Sequence, residues 1–237
     1  MDALHSETPR ISVIVPALNE AGRIRHCLEV LRALGECEVI VVDGGSRDGT
    51  LDEAVSSADR VLESDPGRAR QMNAGAGAAR GEILWFVHAD TRPPAGALDL
   101  IRQCLRSGRQ WGRFDVRLDG RHPAFRVIER FINWRSALSG IATGDQALFV
   151  SRSAWETVGG FPDIALMEDV ALSRSLKRLD FPARVREPAV SSSRRWERHG
   201  ILKTVWLMWR LRFAYWRGAH PDDLAARYAG RRPEGKA

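Results

Sequence analysis

Five apolar residues, Ile83-Leu84-Trp85-Phe86-Val87, stand between Gly81-Glu82 and the polar stretch His88-Ala89-Asp90-Thr91, with Pro93-Pro94 beyond. A short apolar run punctuated by glycine and proline predicts a strand buried on both faces. The same texture recurs upstream. Ile11 to Val15, ended by Pro16, predicts a first strand, Val39 to Val42 a second and Val61-Leu62 a short third. Between them the apolar positions take a helical period: Ile24, Cys27, Leu28, Leu31 and Leu34 predict a helix capped by Asn19 and stopped by Gly35. Thr50 to Ser57 and the small-residue-rich Gly67 to Arg80 read as further helices. Strand and helix therefore alternate, which predicts a mainly parallel sheet with right-handed crossovers.

After Pro94 the texture changes. Ala95 to Arg106 predicts a helix with Leu98, Ile101 and Leu105 on one face. Arg113 to Leu118 alternates polar and apolar, as a half-exposed antiparallel strand does. Phe125 to Leu138 reads as a helix, Ala147 to Val150 as a strand and Ser151 to Val158 as a short helix ended by Gly159-Gly160. A helix from Glu168 to Leu179 and a last strand from Ala183 to Val190 follow. The expected architecture is an α/β domain over residues 1–190, a Rossmann-type sheet flanked by helices with a small antiparallel part. A helical extension, residues 191–237, completes it.

Composition changes the picture in three places. At 237 residues, 44% hydrophobic and 28% charged, the chain belongs with globular proteins and has room for one large core plus an appendage. Its three cysteines, Cys27, Cys37 and Cys104, stand apart, which excludes a cysteine-rich metal site, argues against a disulfide framework and suits a reducing cytoplasm. The first ten residues are polar, so no secretory signal is expected, and no apolar run approaches the roughly 18 residues of a membrane span.

The net charge of +6 is local. From Arg184 onward there are thirteen Lys/Arg against five Asp/Glu, leaving 23 against 25 in the preceding part. That pattern suggests a phosphate or a membrane surface near the C-terminal segment, not a protein that coats nucleic acid. Within Ile201 to Trp216 stand Trp206, Trp209 and Trp216, while Lys203, Arg210 and Arg217 recur every seven residues on one helix face with Arg212 opposite. A helix of this kind suits a membrane interface. It equally suits packing over the catalytic domain or against a second subunit in a homodimer.

Candidate chemistry sits at the predicted strand ends, where ligands bind open α/β sheets. Asp43 before Gly44-Gly45 is placed to bond a ribose or base edge, or else belongs to a plain tight turn with Asp48 capping the next helix. Gly75-Ala76-Gly77 lies in a helix that leads into a strand, the wrong order for a dinucleotide fingerprint, so a nicotinamide cofactor is excluded. Arg68, Arg70 and Asn73 at that helix's start are candidate phosphate or sugar contacts, or a solvated face. In an extended segment His88 and Asp90 share one side, and together they suit Mn²⁺ or Mg²⁺ completed by substrate phosphates. Glu168-Asp169 opens a helix: the dipole favours acids there, and one carboxylate can cap while the other serves as a general base.

Taken in order, Pro16-Ala17-Leu18-Asn19-Glu20, Val42-Asp43-Gly44-Gly45-Ser46-Arg47-Asp48-Gly49-Thr50, Asn73-Ala74-Gly75, Ala79-Arg80-Gly81-Glu82, His88-Ala89-Asp90 and Gly159-Gly160-Phe161 with Glu168-Asp169 resemble the motifs of family 2 glycosyltransferases with the GT-A fold. The resemblance covers about Ile11 to Val190. Leu166-Met167-Glu168-Asp169 and Ser193-Arg194-Arg195-Trp196 are similar to a short bacterial subgroup of uncertain substrate.

The resemblance implies an inverting transfer of sugar from a UDP- or GDP-linked donor to an acceptor hydroxyl. It implies that Pro16, Asn19, Glu20 and Asp43 hold the nucleoside, Arg70 the nucleotide region, and Asp90 the divalent ion, with Asp169 as base. His88 stands where the family usually has aspartate, and is implied as a metal ligand or ribose contact. Asp145, Glu168, Arg195 and Trp196 are implied on the acceptor side. Lipid-linked acceptors, common in the family, imply a cytoplasmic enzyme peripheral to the membrane. The alternative is a non-catalytic nucleotide-binding or membrane-associated module with a decayed site.

Overall fold

The computed structural model describes residues 10–230. Expectations for residues 1–9, including the polar chain start, and for 231–237 lie outside the described residues. In the first half β1 (Ile11–Ala17), α1 (Arg23–Ala33), β2 (Glu38–Asp43), α2 (Thr50–Val55), β3 (Arg60–Glu63), α3 (Arg68–Ala78) and β4 (Ile83–Phe86) alternate as the hydrophobic pattern requires. β1 pairs in parallel with β2 on one side and β4 on the other, and β2 with β3. All seven residues of β1 are buried because both faces are covered. Ile11, Val13 and Val15 share a core with Ile24, Leu28 and Leu31 of α1, whereas Ile14 shares one with Met72 and Ala76 of α3. A Cβ on Gly75 would lie 2.5 Å from Ile14 Cγ2. The glycine thus serves close helix–sheet packing.

The second half adds β5 (Thr91–Arg92), α4 (Ala97–Arg106), β6 (Trp111–Leu118), α5 (Pro123–Ser139), β7 (Phe149–Ser151), α6 (Arg152–Val158), α7 (Glu168–Leu176) and β8 (Ala183–Ser191). The strands form one sheet in the order β3-β2-β1-β4-β7-β6-β8-β5. β7 runs antiparallel to β4 and β6, and β5 antiparallel to β8, while β6 and β8 pair in parallel. A bulge between Phe114 and Asp115 in that last pairing accommodates Pro188, which has no N–H to give a regular ladder.

Two local expectations are corrected. The alternating β6 is not half-exposed: Arg113 is 1% exposed and Asp115 is buried. Helix α5 lies over the strand, and Asn133 bonds both the N–H and the C=O of Val116 like a neighbouring strand. Arg113 and Arg184 both pair with Asp115, so these polar side chains neutralise one another inside. Nor does Asn19 cap α1. The cap is Gly22 at φ 77; Asn19, at φ 54, accepts from Arg47 N–H through Oδ1 and donates its own N–H to Ser46.

The C-terminal segment forms α8 (Arg194–His199), α9 (Ile201–Trp216) and α10 (Pro221–Tyr228). It folds back on the domain: Leu211 of α9 and Leu224 of α10 form a buried cluster with Met167 and Val170 at the start of α7. The opposite face of α9 presents Leu202, Trp206, Trp209, Phe213 and Trp216 to solvent. No helix among the described residues is long and apolar enough to cross a membrane.

Candidate active site

The carboxyl ends of β1, β2 and β4 open into one cleft, closed on its far side by the turn Gly144–Gln146, the start of α7 and the C-terminal helices. Beyond Phe86 the chain leaves the extended conformation and turns at Ala89-Asp90, with Thr91 N–H donating to His88 C=O. Strand alternation therefore does not set the directions of His88 and Asp90. His88 packs against Gly144, where an added Cβ would lie 2.4 Å from the imidazole Cε1. Burial, reinforced by the Arg68 cation, pushes its pKa down to about 3, so the imidazole is neutral at physiological pH. Asp90 is half-buried; burial raises its carboxyl, opposed by Arg68 and Arg194.

Asp169 is held from two sides. Gly144 N–H donates to Oδ2 at 2.9 Å and Val170 N–H to Oδ1 at 2.7 Å. Each oxygen keeps a lone pair, and the residue stays partly exposed. Glu168 differs: it is 4% exposed, and burial followed by the neighbouring Asp169 charge pushes its carboxyl up to about 7. Asp145 lies in the Gly144–Gln146 turn, and its Oδ1 is buried without a hydrogen-bond partner. A buried carboxylate oxygen left open is costly unless a ligand completes it.

The nucleoside-side candidates form a braced rim. Asp43 is 3% exposed and accepts from the N–H groups of Gly45 and Ser46 and from the Ser46 hydroxyl, so it shapes its own turn. Asp48 accepts from Thr50 N–H and from Ala21 N–H, tying that turn to the loop after Pro16. Glu20 pairs with Arg23 at 2.7 Å and lies 3.5 Å from Arg194 of α8.

Two of the candidate arginines are engaged by neighbouring groups. Arg70 is engaged on the surface by Asp163 at 2.9 Å. The arginine among the carboxylates is Arg68. Crowding of its guanidinium works against the charge, but Glu168, Asp169 and Asp90 outweigh it and raise its pKa. Arg195 lies 3.6 Å from the Tyr228 ring centre and donates to that residue's C=O, clamping α8 to α10. Trp196 is half-buried on the same helix. Arg135 of α5 and Arg212 of α9 were not expected in the site. Both feel the charges of Asp145 and Asp169. Arg212 stood out in the sequence only as the cation out of phase with Lys203, Arg210 and Arg217; Arg135 gave no signal.

Among the described residues no three His, Cys, Asp or Glu side chains converge as a self-sufficient metal cage. Asp90 alone fits a hard cation whose remaining ligands are phosphate oxygens and water.

Comparison with known proteins agrees with this architecture. Residues 12–149 match the profile described as Glycosyl transferase family 2. A probable glycosyltransferase of Bacillus subtilis, YdaM, is 28% identical over 90% of this chain and 56% of its own length. A mycobacterial PGL/p-HBAD biosynthesis glycosyltransferase (Mycobacterium bovis) is 37% identical over 35% of this chain and 36% of its own. The chain thus spans about half or less of these curated relatives. Among solved structures, S. aureus TarS superposes with a TM-score of 0.62 at 19% identity, covering 77% of this chain and 36% of TarS. The mannosyltransferase PcManGT of Pyrobaculum calidifontis gives 0.61 at 22% identity over 98% of this chain and 66% of its own. These likenesses are in fold. With the ordered motifs, the sheet and the profile all in register, the chain belongs to glycosyl transferase family 2.

Proposed function

We propose that this protein is an inverting glycosyltransferase that moves a sugar from a UDP- or GDP-linked donor to an acceptor hydroxyl with a divalent ion, Mn²⁺ or Mg²⁺. The observation that carries this reading is the convergence of Asp90, Asp145, Asp169 and Arg68 in one cleft at the strand ends of a family 2 chain. Related folds have been solved with GDP-Man and Mn²⁺ (PcManGT) and with UDP and Mn²⁺ (glucosyl-3-phosphoglycerate synthase of Mycobacterium tuberculosis), which supports the donor class and the metal.

The roles follow from position. The braced rim of Pro16, Asn19, Glu20 and Asp43 frames the nucleoside. Asp90 would hold the ion, which when bound neutralises negative charge on the donor diphosphate. Arg68 adds a second positive charge beside it. His88 offers a neutral imidazole and packs the Gly144 turn; Asp145 orients the acceptor. Asp169, oriented by the N–H groups of Gly144 and Val170, takes the acceptor proton. The acceptor oxygen bonds to the anomeric carbon as the bond to the diphosphate oxygen breaks, and the electron pair leaves with the nucleoside diphosphate. The outward tryptophans of α9 suit contact with the inner membrane surface, making the enzyme peripheral and cytoplasmic.

Calorimetry with UDP and GDP, with and without Mn²⁺, tests the donor site. Metal-dependent binding of one nucleotide is expected; binding of neither would favour the non-catalytic module. Asp169→Asn should bind nucleotide and lose transfer, while Glu168→Gln should keep transfer. The reverse outcome would make Glu168 the base, a reading favoured only by its carboxyl near 7.

A further inference from the structure

A second hollow opens between β5, β8, the end of β6 and the start of α5, and it shares no residue with the catalytic cleft. Its volume of about 630 Å³ lies in the range of small-molecule pockets. Arg92, Arg117, Arg121 and Arg126 line it, with Val190 between strands and Asp119 as the one carboxylate.

Strand register explains why two of these arginines meet there. Arg92 of β5 and Arg117 of β6 both pair with Val190, from opposite sides of β8. Directly paired residues project to the same face of a sheet, so the arginines flank Val190 with their Cα atoms two strand spacings apart, about 10 Å. The next row, Thr91, Ser191 and Leu118, points the other way and is buried.

The turn that closes the hollow is braced. Asp119 N–H donates to Ser191 C=O, and Asp119 Oδ1 accepts from the Ser193 N–H and hydroxyl, both at 2.8 Å. Gly120 lies so close to the Phe125 ring of α5 that a Cβ there has no room. Arg126 belongs to this scaffold: its guanidinium donates to the C=O groups of Leu118 and Gly120 and pairs with Glu129 at 2.9 Å.

Arg92, Arg117 and Arg121 are different. All three are exposed, and none makes a hydrogen bond or an ion pair among the described residues. Like charges held around one hollow repel, and the lining offers only Asp119 against them. A multiply charged anion removes that repulsion. The guanidinium fork matches phosphate oxygens bidentately, and side chains as long as arginine's, rooted on either side of Val190, can close on one ligand. A concave site of this size favours a compact ligand over an extended strand or a flat partner surface.

We propose that this pocket binds a compact phosphorylated ligand carrying at least two negative charges, at a site separate from the donor cleft. The inference goes beyond the transferase reading and does not depend on it.

The test is calorimetry on the full chain in metal-free buffer at physiological salt, with inorganic tripolyphosphate, fructose 1,6-bisphosphate, inorganic phosphate and a hexaglutamate peptide. Tripolyphosphate or the bisphosphate should bind about tenfold or more tightly than phosphate or the peptide. Arg92→Gln with Arg117→Gln should lose that affinity by about tenfold or more. The same double variant should unfold at an equal or higher urea concentration than wild type, because repulsion has been removed. Arg68→Gln, in the cleft, should leave the affinity unchanged. The proposal is overturned if neither phosphorylated probe binds, if inorganic phosphate binds as tightly, or if the double variant keeps the affinity or is destabilised. It is equally overturned if Arg68→Gln loses the affinity, which would place the anion in the donor cleft, or if the peptide binds best, which would mark a protein-docking surface. UDP with Mn²⁺ is titrated separately: absence of that binding would sink the transferase reading, and the phosphorylated probes would still decide the arginine pocket.

Discussion

Glu168 offers a measurement that isolates one side chain of the site. Its carboxyl lies near 7 in the folded protein against an ordinary value of 4.5, because burial and then the Asp169 charge disfavour ionisation. Between those values the folded chain holds a proton that the unfolded chain has released. Stability therefore falls as pH rises from about 4.5 to about 7, and the loss is complete above that. At about 1.4 kcal/mol per pH unit the span corresponds to about 3 kcal/mol. Glu168→Gln removes the ionisation while keeping the shape, so the variant should match wild type near pH 4.5 and exceed it by up to about 3 kcal/mol at pH 8. Urea unfolding of both proteins across this range measures the difference, in which titrations not coupled to Glu168 cancel. A difference that stays constant with pH would refute the reasoning, and a pH-dependent gain in Asp169→Asn instead would place the proton on Asp169.

Other substitutions test neighbouring statements. Asp90→Asn should abolish the Mn²⁺-dependent part of UDP or GDP binding in calorimetry without unfolding the chain. Arg68→Gln should weaken binding of the metal–nucleotide complex by about tenfold or more through loss of a charged contact, whereas Arg70→Gln forfeits only an exposed pair with Asp163 and should leave nucleotide affinity unchanged. Gly75→Ala drives a methyl to 2.5 Å from Ile14 Cγ2 and should cost about 1–3 kcal/mol in denaturant unfolding. Gly144→Ala presses on His88 at 2.4 Å and should lower transfer more than stability, read as kcat against the unfolding midpoint.

The central strands were legible because a strand covered on both faces must be apolar throughout. Ile11 to Val15 and Ile83 to Val87 could hardly be anything else once helices of amphipathic period lay between them. Beyond α4 that logic weakens. Alternation in β6 reports side-chain chemistry, not what covers it; α5 buries the polar positions, and Arg113, Asp115 and Arg184 compensate one another. The two-residue β5 and the short α8 and α10 carry too few residues for a period to show. In α9 apolar residues occupy nearly the whole circumference. The tryptophans identify a face, but only the contact of Leu211 with Met167, Val170 and Leu224 decides which face turns inward.

The site divides along the same line. Asp90, Asp145 and Asp169 were readable because each follows a strand or opens a helix, and position along the chain fixes where such a residue emerges. The arginines were not, because a long side chain's destination depends on which neighbour claims it. Arg68 and Arg70 start the same helix two residues apart, on opposite sides of its axis, so only one can face the cleft, and Asp163 claims the other. Arg194 and Arg195 split in the same way, one toward Glu20 and Asp90, the other onto Tyr228. Arg135 and Arg212 are the extreme case, separated by 77 positions and brought together only when α9 packs against the domain. Sequence shows where a carboxylate must appear; tertiary packing chooses the cation that meets it.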